Sequence, residues 1–366
     1  MASGIFGYTC LGISISLACP LSCAHCITGS GPRVQNEMSV AEALKYIRDA
    51  AGAVNHISFT GGESFLNLRK LEILIREAKK QDFIVSVMTS GFWARTPART
   101  LKILTLLKEN GLDMIGVSLD RFHLEYLNEY NSINIAEAGE ELGLQVAIRV
   151  IIQAEDNYGK QVERLLKHTQ AKVHVNYLVC LGRATNLPES DFKFSKKPPR
   201  EICETVTAVE IVPGGNVYAC CGPGQYMIDS NPLFLGNAQT DNLYDILERG
   251  LKNSFMKVIN TRGPYGLLED IREYGYGDVI KIRSIYKDAC QLCLDICNSP
   301  GAVKTLKKIY QNEEIKRKQN ATQFLKMTGE LTNTLKISAQ IISEKKKFLS
   351  TSENFIYEID HLQDPI

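Results

Sequence analysis

The stretch Ile13-Ser14-Ile15-Ser16-Leu17-Ala18-Cys19-Pro20-Leu21-Ser22-Cys23-Ala24-His25-Cys26 decides how the rest of the chain is read. Its first half alternates apolar and small polar residues, the period-two pattern of a strand with one buried face. The alternation stops at Cys19-Pro20, and three thiols then follow within eight residues. In a barrel of parallel strands, catalytic groups gather at the C-terminal strand ends. A loop there can wrap three thiolates around one metal centre, and grouped cysteines favour metal or iron–sulfur ligation.

Working outward, short apolar runs recur at 57–60, 84–89, 114–119, 144–151 and 173–180. Helix-like stretches separate them. Ser39 with Glu42 three residues on predicts a capping box. Residues 68–80 are amphipathic, and Pro97 suits a first helical turn. The repeat is roughly 30 residues, the size of one βα unit. Six units in series predict an α/β fold of parallel strands with right-handed crossovers over residues 1–185.

Composition narrows the function. Of 366 residues, 42 are Lys or Arg and 41 are Asp or Glu, so the net charge is +1 and nothing favours nucleic acid or an anionic membrane. The apolar N-terminus carries no Lys or Arg before Arg33 and is too short to span a bilayer. The expectation is a cytoplasmic protein without a membrane partner. A disulfide framework belongs to small secreted domains, so the eleven cysteines need another reason. Eight are grouped, as Cys19/Cys23/Cys26, Cys220/Cys221 and Cys290/Cys293/Cys297. Cys10 and Cys180 sit among apolar residues and read equally as small buried hydrophobes.

Past Gly182 the pattern changes. Residues 187–200 read as a linker, and 207–212 and 217–220 flank a Pro-Gly-Gly-Asn turn, a hairpin signal. Residues 237–260 read as helix, 263–277 as irregular, and the lysine-rich 302–349 as helix-prone with a solvated face that could also bind a peptide. Two further units are expected, at 186–300 and 301–366.

The Cys-x3-Cys-x2-Cys spacing resembles the radical S-adenosylmethionine (SAM) enzymes. That resemblance implies a partial (β/α)6 TIM barrel and a [4Fe–4S] cluster on Cys19, Cys23 and Cys26, with one iron left open for SAM. Gly61-Gly62-Glu63 looks like the element that meets the SAM amino group. Ser90 sits where the family often has Asn, Ser118 and Asp120 where ribose contacts lie, and Arg149 where a fifth-strand SAM contact lies. The alternative is a zinc site closed by His25.

The later cysteines resemble a twitch/SPASM-like C-terminal domain, which implies one auxiliary [4Fe–4S] cluster on Cys203, Cys220, Cys290 and Cys293, again with zinc as the alternative. Neighbouring side chains on a strand point to opposite faces, so Cys221 is expected to turn away from Cys220, toward the barrel mouth. Cys297 stays open between ligand and core residue.

The segments 58–63, 90–93, 120–123 and 214–221 resemble the radical SAM peptide epimerases of ribosomally made peptides. This implies a precursor-peptide substrate, an electron donor such as a flavodoxin or ferredoxin, and L-to-D inversion with Cys221 giving the second hydrogen. Peptide crosslinking through a thioether or carbon–carbon bond, oxidation of a small molecule, and a zinc module without radical chemistry are the alternatives.

Overall fold

The computed structural model describes residues 7–154, 169, 171–227, 231–312 and 314–329. Strand β1 (Cys10–Ser16) leads into the cysteine loop. Helix α1 (Val40–Asp49) follows, and both halves of the Ser39/Glu42 capping box are formed. Then come β2 (His56–Gly61), α2 (Leu68–Lys80), β3 (Ile84–Thr89) and α3 (Pro97–Glu109), with Pro97 in the first turn as expected. Next are β4 (Met114–Ser118), the single turn α4 (Arg121–Leu124), α5 (Glu129–Leu142), β5 (Gln145–Ile152) and β6 (Lys172–Tyr177).

Among the described residues the sheet has nine strands in the order β6-β5-β4-β3-β2-β1-β7-β8-β9, where β7 is Ala208–Ile211, β8 Asn216–Tyr218 and β9 Phe234–Asn237. Strands β1 to β6 are parallel. The sheet stays open, with β6 and β9 at its two edges. The expected hairpin forms, but it builds no sheet of its own: β7 adds parallel to β1, and β8 and β9 follow antiparallel.

One face of the sheet packs on the helices through fully buried residues such as Leu11, Ile13, Ile57, Phe59, Val85, Val87 and Val117. The inner face is polar or small. Gly12 pairs with Ser58 and Glu210, Ser14 with Thr60, Ser58 with Ser86, and Ser118 with Arg149. Period-two alternation therefore sends the serines of the opening stretch inward and its isoleucines outward. Lys70 anchors the strand end. Its buried ammonium donates to Ile15 O at 3.1 Å, to Glu37 Oε1 at 2.9 Å and to Met38 O.

The C-terminal part differs from expectation in detail. The helix expected over 237–260 is two, Leu243–Gly250 and Ser254–Glu273, because Asn242 and Asn253 each cap a new start. The second takes in residues 263–273 of the segment expected to be irregular, leaving 274–276 as turn and coil. It kinks where Gly263 takes φ 69°, and Pro264 then opens the next turn. The 187–200 stretch is not a free linker, since Phe192 is buried with Leu178, Cys180 and Phe122. Helix continues at Pro300–Ile309 and 314–329, and the rest of the lysine-rich tail lies outside the described residues. Among the described residues no helix is long and apolar enough to cross a membrane.

Candidate active site

The loop after β1 is tied down from far along the chain. Arg183 donates from Nε to Cys23 O at 2.9 Å, from Nη1 to Ser30 O at 2.6 Å, and from its backbone N–H to Cys26 O at 3.0 Å. Tyr226 donates its hydroxyl to Ile27 O. Within the loop, Cys26 N–H closes a turn on Cys23 O at 3.1 Å. These bonds hold Cys19, Cys23 and Cys26 on the wall of a cavity of about 300 Å³ at the strand ends.

Gly61, Gly62, Ser90, Ser118 and Cys221 line the same cavity. Gly61 takes φ 120°, and a Cβ on Gly61 or Gly62 would collide with the carbonyl oxygens of Ser16 and Ala18. The backbone of β2 therefore crosses directly against the cysteine loop, which only glycine allows.

Three residues expected at the cavity wall stand elsewhere. The Glu63 carboxylate is buried and accepts from Thr89 Oγ1 at 2.8 Å, Ser90 Oγ at 2.5 Å, Ser90 N at 2.8 Å and Phe65 N at 3.1 Å. Its bonding capacity goes to holding Ser90 in place, although burial still pushes its pKa up. Asp120 caps α4 and sits behind His25. One oxygen lies 2.9 Å from His123 Nδ1, and the other faces His25 Nε2 at 3.7 Å. Arg149 is on the inner face of β5, exposed and away from the cavity wall.

Electrostatics fit a metal-bearing loop. Burial pushes the Cys19 thiol up to about 11 and Cys23 up to about 12, so both are neutral thiols until a cationic centre draws off their protons. His25 is pushed down to about 4 by burial, against the pull of Asp120. Burial would raise Asp120, but His123 and His25 together hold it below the usual range. His25 stacks on Phe122 with centroids 4.5 Å apart, and its Nδ1 is buried without a hydrogen-bond partner among the described residues. Among those residues the group whose ligand atoms lie within 4.8 Å of one another is Cys23, His25 and His123, not the thiol triplet. A single zinc at about 2.3 Å from each sulfur needs thiols much closer than that. A four-iron cluster holds them further apart.

Residues 13–139 match the model of the Radical SAM superfamily. Those residues form a Radical SAM domain. Members of that superfamily use a [4Fe–4S] cluster and SAM. The chain is 19% identical over 297 residues to YydG of Bacillus subtilis (strain 168), named as a peptide biosynthesis protein, across 79% of this chain and 92% of that one. It is 29% identical over 173 residues to the GTP 3',8-cyclase of Chlorobaculum tepidum, across 46% of this chain and 44% of the cyclase. Among solved structures, anSMEcpe with bound AdoMet and the Cp18Cys peptide is similar over 82% of this chain and 99% of that one, at 15% identity and TM-score 0.48.

The chain carries a second thiol set. Cys220 is buried and is influenced electrostatically by Cys293 and Cys203; Cys290 is influenced by Cys293, Cys220 and Cys203. The four expected partners come from the coil before β7, the bend just after β8 and the helix Ala289–Cys297. Burial lifts the pKa of Cys203, Cys220 and Cys290, while Cys293 is raised first by its hydrogen bond with Cys297. Cys297, one helical turn beyond Cys293, is fully buried in the hydrophobic core. Strand β8 ends at Tyr218, so Cys220 and Cys221 lie in a bend and the expected strand alternation does not set them apart; Cys221 nevertheless lines the first cavity.

Two residues of the site have no forewarning in the motif. Arg183 follows β6 in an unremarkable Gly-Arg-Ala run, and nothing in the sequence announces its grip on the cysteine loop. Glu210 lines the cavity from β7. Its signal was available: it is one acid between Val209 and Ile211 in an otherwise apolar strand.

Proposed function

We propose that this radical SAM enzyme epimerises residues of a ribosomally made peptide. Cys19, Cys23 and Cys26 hold the [4Fe–4S] cluster, and the backbone of Gly61-Gly62 with Ser90 and Ser118 receives SAM. Glu63 and Asp120 position Ser90 and His25 rather than meeting SAM themselves, and Arg149 faces substrate or SAM from the open inner sheet. Cys203, Cys220, Cys290 and Cys293 hold an auxiliary cluster of the twitch/SPASM type. When bound, the cluster and SAM supply a 5′-deoxyadenosyl radical that takes the α-hydrogen of one peptide residue. The planar α-carbon then receives hydrogen from the Cys221 thiol on its other face, and the centre inverts.

The carrying observation is the split between adjacent thiols. Cys221 lines the cavity of the first triplet, while Cys220 faces Cys203 and Cys293. A thiol beside the radical is a ready hydrogen donor. The name of YydG supports a peptide substrate.

The test is anaerobic turnover in D2O with candidate peptides, SAM and a reductant of the flavodoxin or ferredoxin class. One deuterium at an inverted α-carbon, lost in Cys221→Ala while 5′-deoxyadenosine still forms, is the expected result. A product lighter by two hydrogens would overturn it and favour crosslinking or oxidation.

A further inference from the structure

Strand β6 forms one edge of the sheet and pairs with β5 on its inner side only. Lys172, His174, Asn176 and Tyr177 are exposed, and Val173 and Val175 are half-buried. Among the described residues no backbone group of Lys172–Tyr177 bonds outside the ladder with β5. Such an edge presents a row of unpaired N–H and C=O groups, a template for another extended chain.

Strand alternation gives this edge two chemistries. His174 stands in register with Arg149 and Lys172 with Ala147, so Lys172, His174 and Arg149 share the inner face. Arg149 in turn pairs with Ser118, which lines the first cavity. Among the described residues no acid is ion-paired with any of the three. Glu210, the buried acid of the inner face, lies across the sheet on β7 and bonds Ser14 and Gln225. The other face of β6 carries Val173, Val175 and Tyr177. At that end a second cavity of about 630 Å³ opens, walled in part by the exposed side chains of Tyr177, Phe194 and Ile202.

We propose that the open edge of β6 binds an extended segment of the substrate peptide as an added strand, acidic on its inner face and apolar on its outer. The inference rests on the peptide-substrate reading given above. Backbone hydrogen bonds to the edge supply affinity, and alternate side chains supply specificity. Acids meet Lys172, His174 and Arg149, and apolar side chains meet Val175 and the cavity beside Tyr177. Neighbouring strands lie about 4.8 Å apart, so an added strand runs about 14 Å, three spacings, from Ser118. About four extended residues span that distance. The docked segment thus anchors the peptide and leaves a separate residue for the first cavity.

The experiment has two arms on the reconstituted holoenzyme. The first measures binding by fluorescence anisotropy. The probe is a rhodamine-labelled peptide of alternating Glu and Val, compared with Gln–Val and Lys–Val peptides of the same length. The Gln–Val peptide should bind about tenfold more weakly than the Glu–Val peptide. The double variant Lys172→Glu/His174→Glu changes two exposed side chains and should weaken the Glu–Val peptide about tenfold. It should strengthen the Lys–Val peptide, while Lys172→Arg should bind as wild type. Alternate N–H groups of a strand point to opposite sides, so N-methylating one alternate set should abolish binding and the other set should leave it. Equal binding of the three peptides, an unmoved double variant or equal loss from both methylated sets would overturn the inference. A dimer that sedimentation detects in wild type and not in the double variant would overturn it in favour of pairing between copies.

The second arm follows turnover of candidate peptides in D2O. Binding remote from the reacting centre is the same in ground and transition states, so the double variant should raise KM about tenfold, the loss falling on KM rather than kcat. An unmoved KM with deuterium still entering the product would overturn the docking inference and leave the peptide reading standing. Binding of the Glu–Val peptide at the edge with no peptide modified would overturn the peptide reading and leave the docking surface standing.

Discussion

Glu63 shows how a residue type and its use part company. A carboxylate after two glycines invites an ammonium partner, yet here it is closed off by four hydrogen bonds from Thr89, Ser90 and Phe65. Glu63→Gln turns one acceptor oxygen into a donor facing other donors. A buried donor left unpaired costs about 1–3 kcal/mol, so urea unfolding should shift down by that order. An unchanged midpoint would mean that the carboxylate does not organise the Ser90 loop. The thiols were legible one by one because Cys-x3-Cys-x2-Cys is a local spacing. The burial of Cys297 in the core was not, because it needs the turn of the helix Ala289–Cys297 to set Cys293 and Cys297 on one face.

Elements set how closely the cofactor loop and the sheet approach. The end of β2 lies against the loop after β1, and Gly62 N–H bonds Ser16 O at 2.7 Å while Glu63 N–H bonds Ala18 O at 2.9 Å. Gly62→Ala puts a methyl against the Ala18 carbonyl and must part the two segments. A displacement near 1 Å at a reacting centre costs about 100-fold, so SAM cleavage to 5′-deoxyadenosine should fall by that order while circular dichroism stays unchanged. Retained cleavage would show that the loop tolerates the shift. Strands β1 to β6 were readable from their apolar runs, and α1 from its capping box. The kinked helix Ser254–Glu273 was not, because Gly, Tyr and Pro locally favour turns. Its second half is held by packing of Leu267, Leu268 and Ile271 into the core.

Across the whole molecule, the buried acid of the inner sheet should appear in the pH dependence of stability. Burial raises the Glu210 carboxyl from 4.5 to about 7 on folding, so between those values the folded chain binds the extra proton. Stability from this group is greatest below the unfolded value and is lost as pH rises toward 7, by about 3 kcal/mol in all. Glu210→Gln should therefore gain on wild type between pH 5 and pH 8 in paired urea unfolding curves, where other groups cancel. A constant difference across that range would mean that the acid ionises freely in the folded state.

The sequence by itself determined the first cysteine triplet, the six parallel strands and the glycine pair. Each rests on spacing or alternation within a few residues, which the backbone converts directly into geometry. Only the tertiary structure decided that β7 to β9 continue the same sheet beyond β1, that Arg183 and Tyr226 clamp the loop after β1, and that Glu210 stands in the cavity with Cys221. Those contacts join residues more than 150 positions apart for Arg183 with Cys23, and 196 apart for Ser14 with Glu210. No local pattern encodes a pairing of that range. It follows from which strand edge was left open, and in this molecule that edge was β1, the strand of the opening stretch.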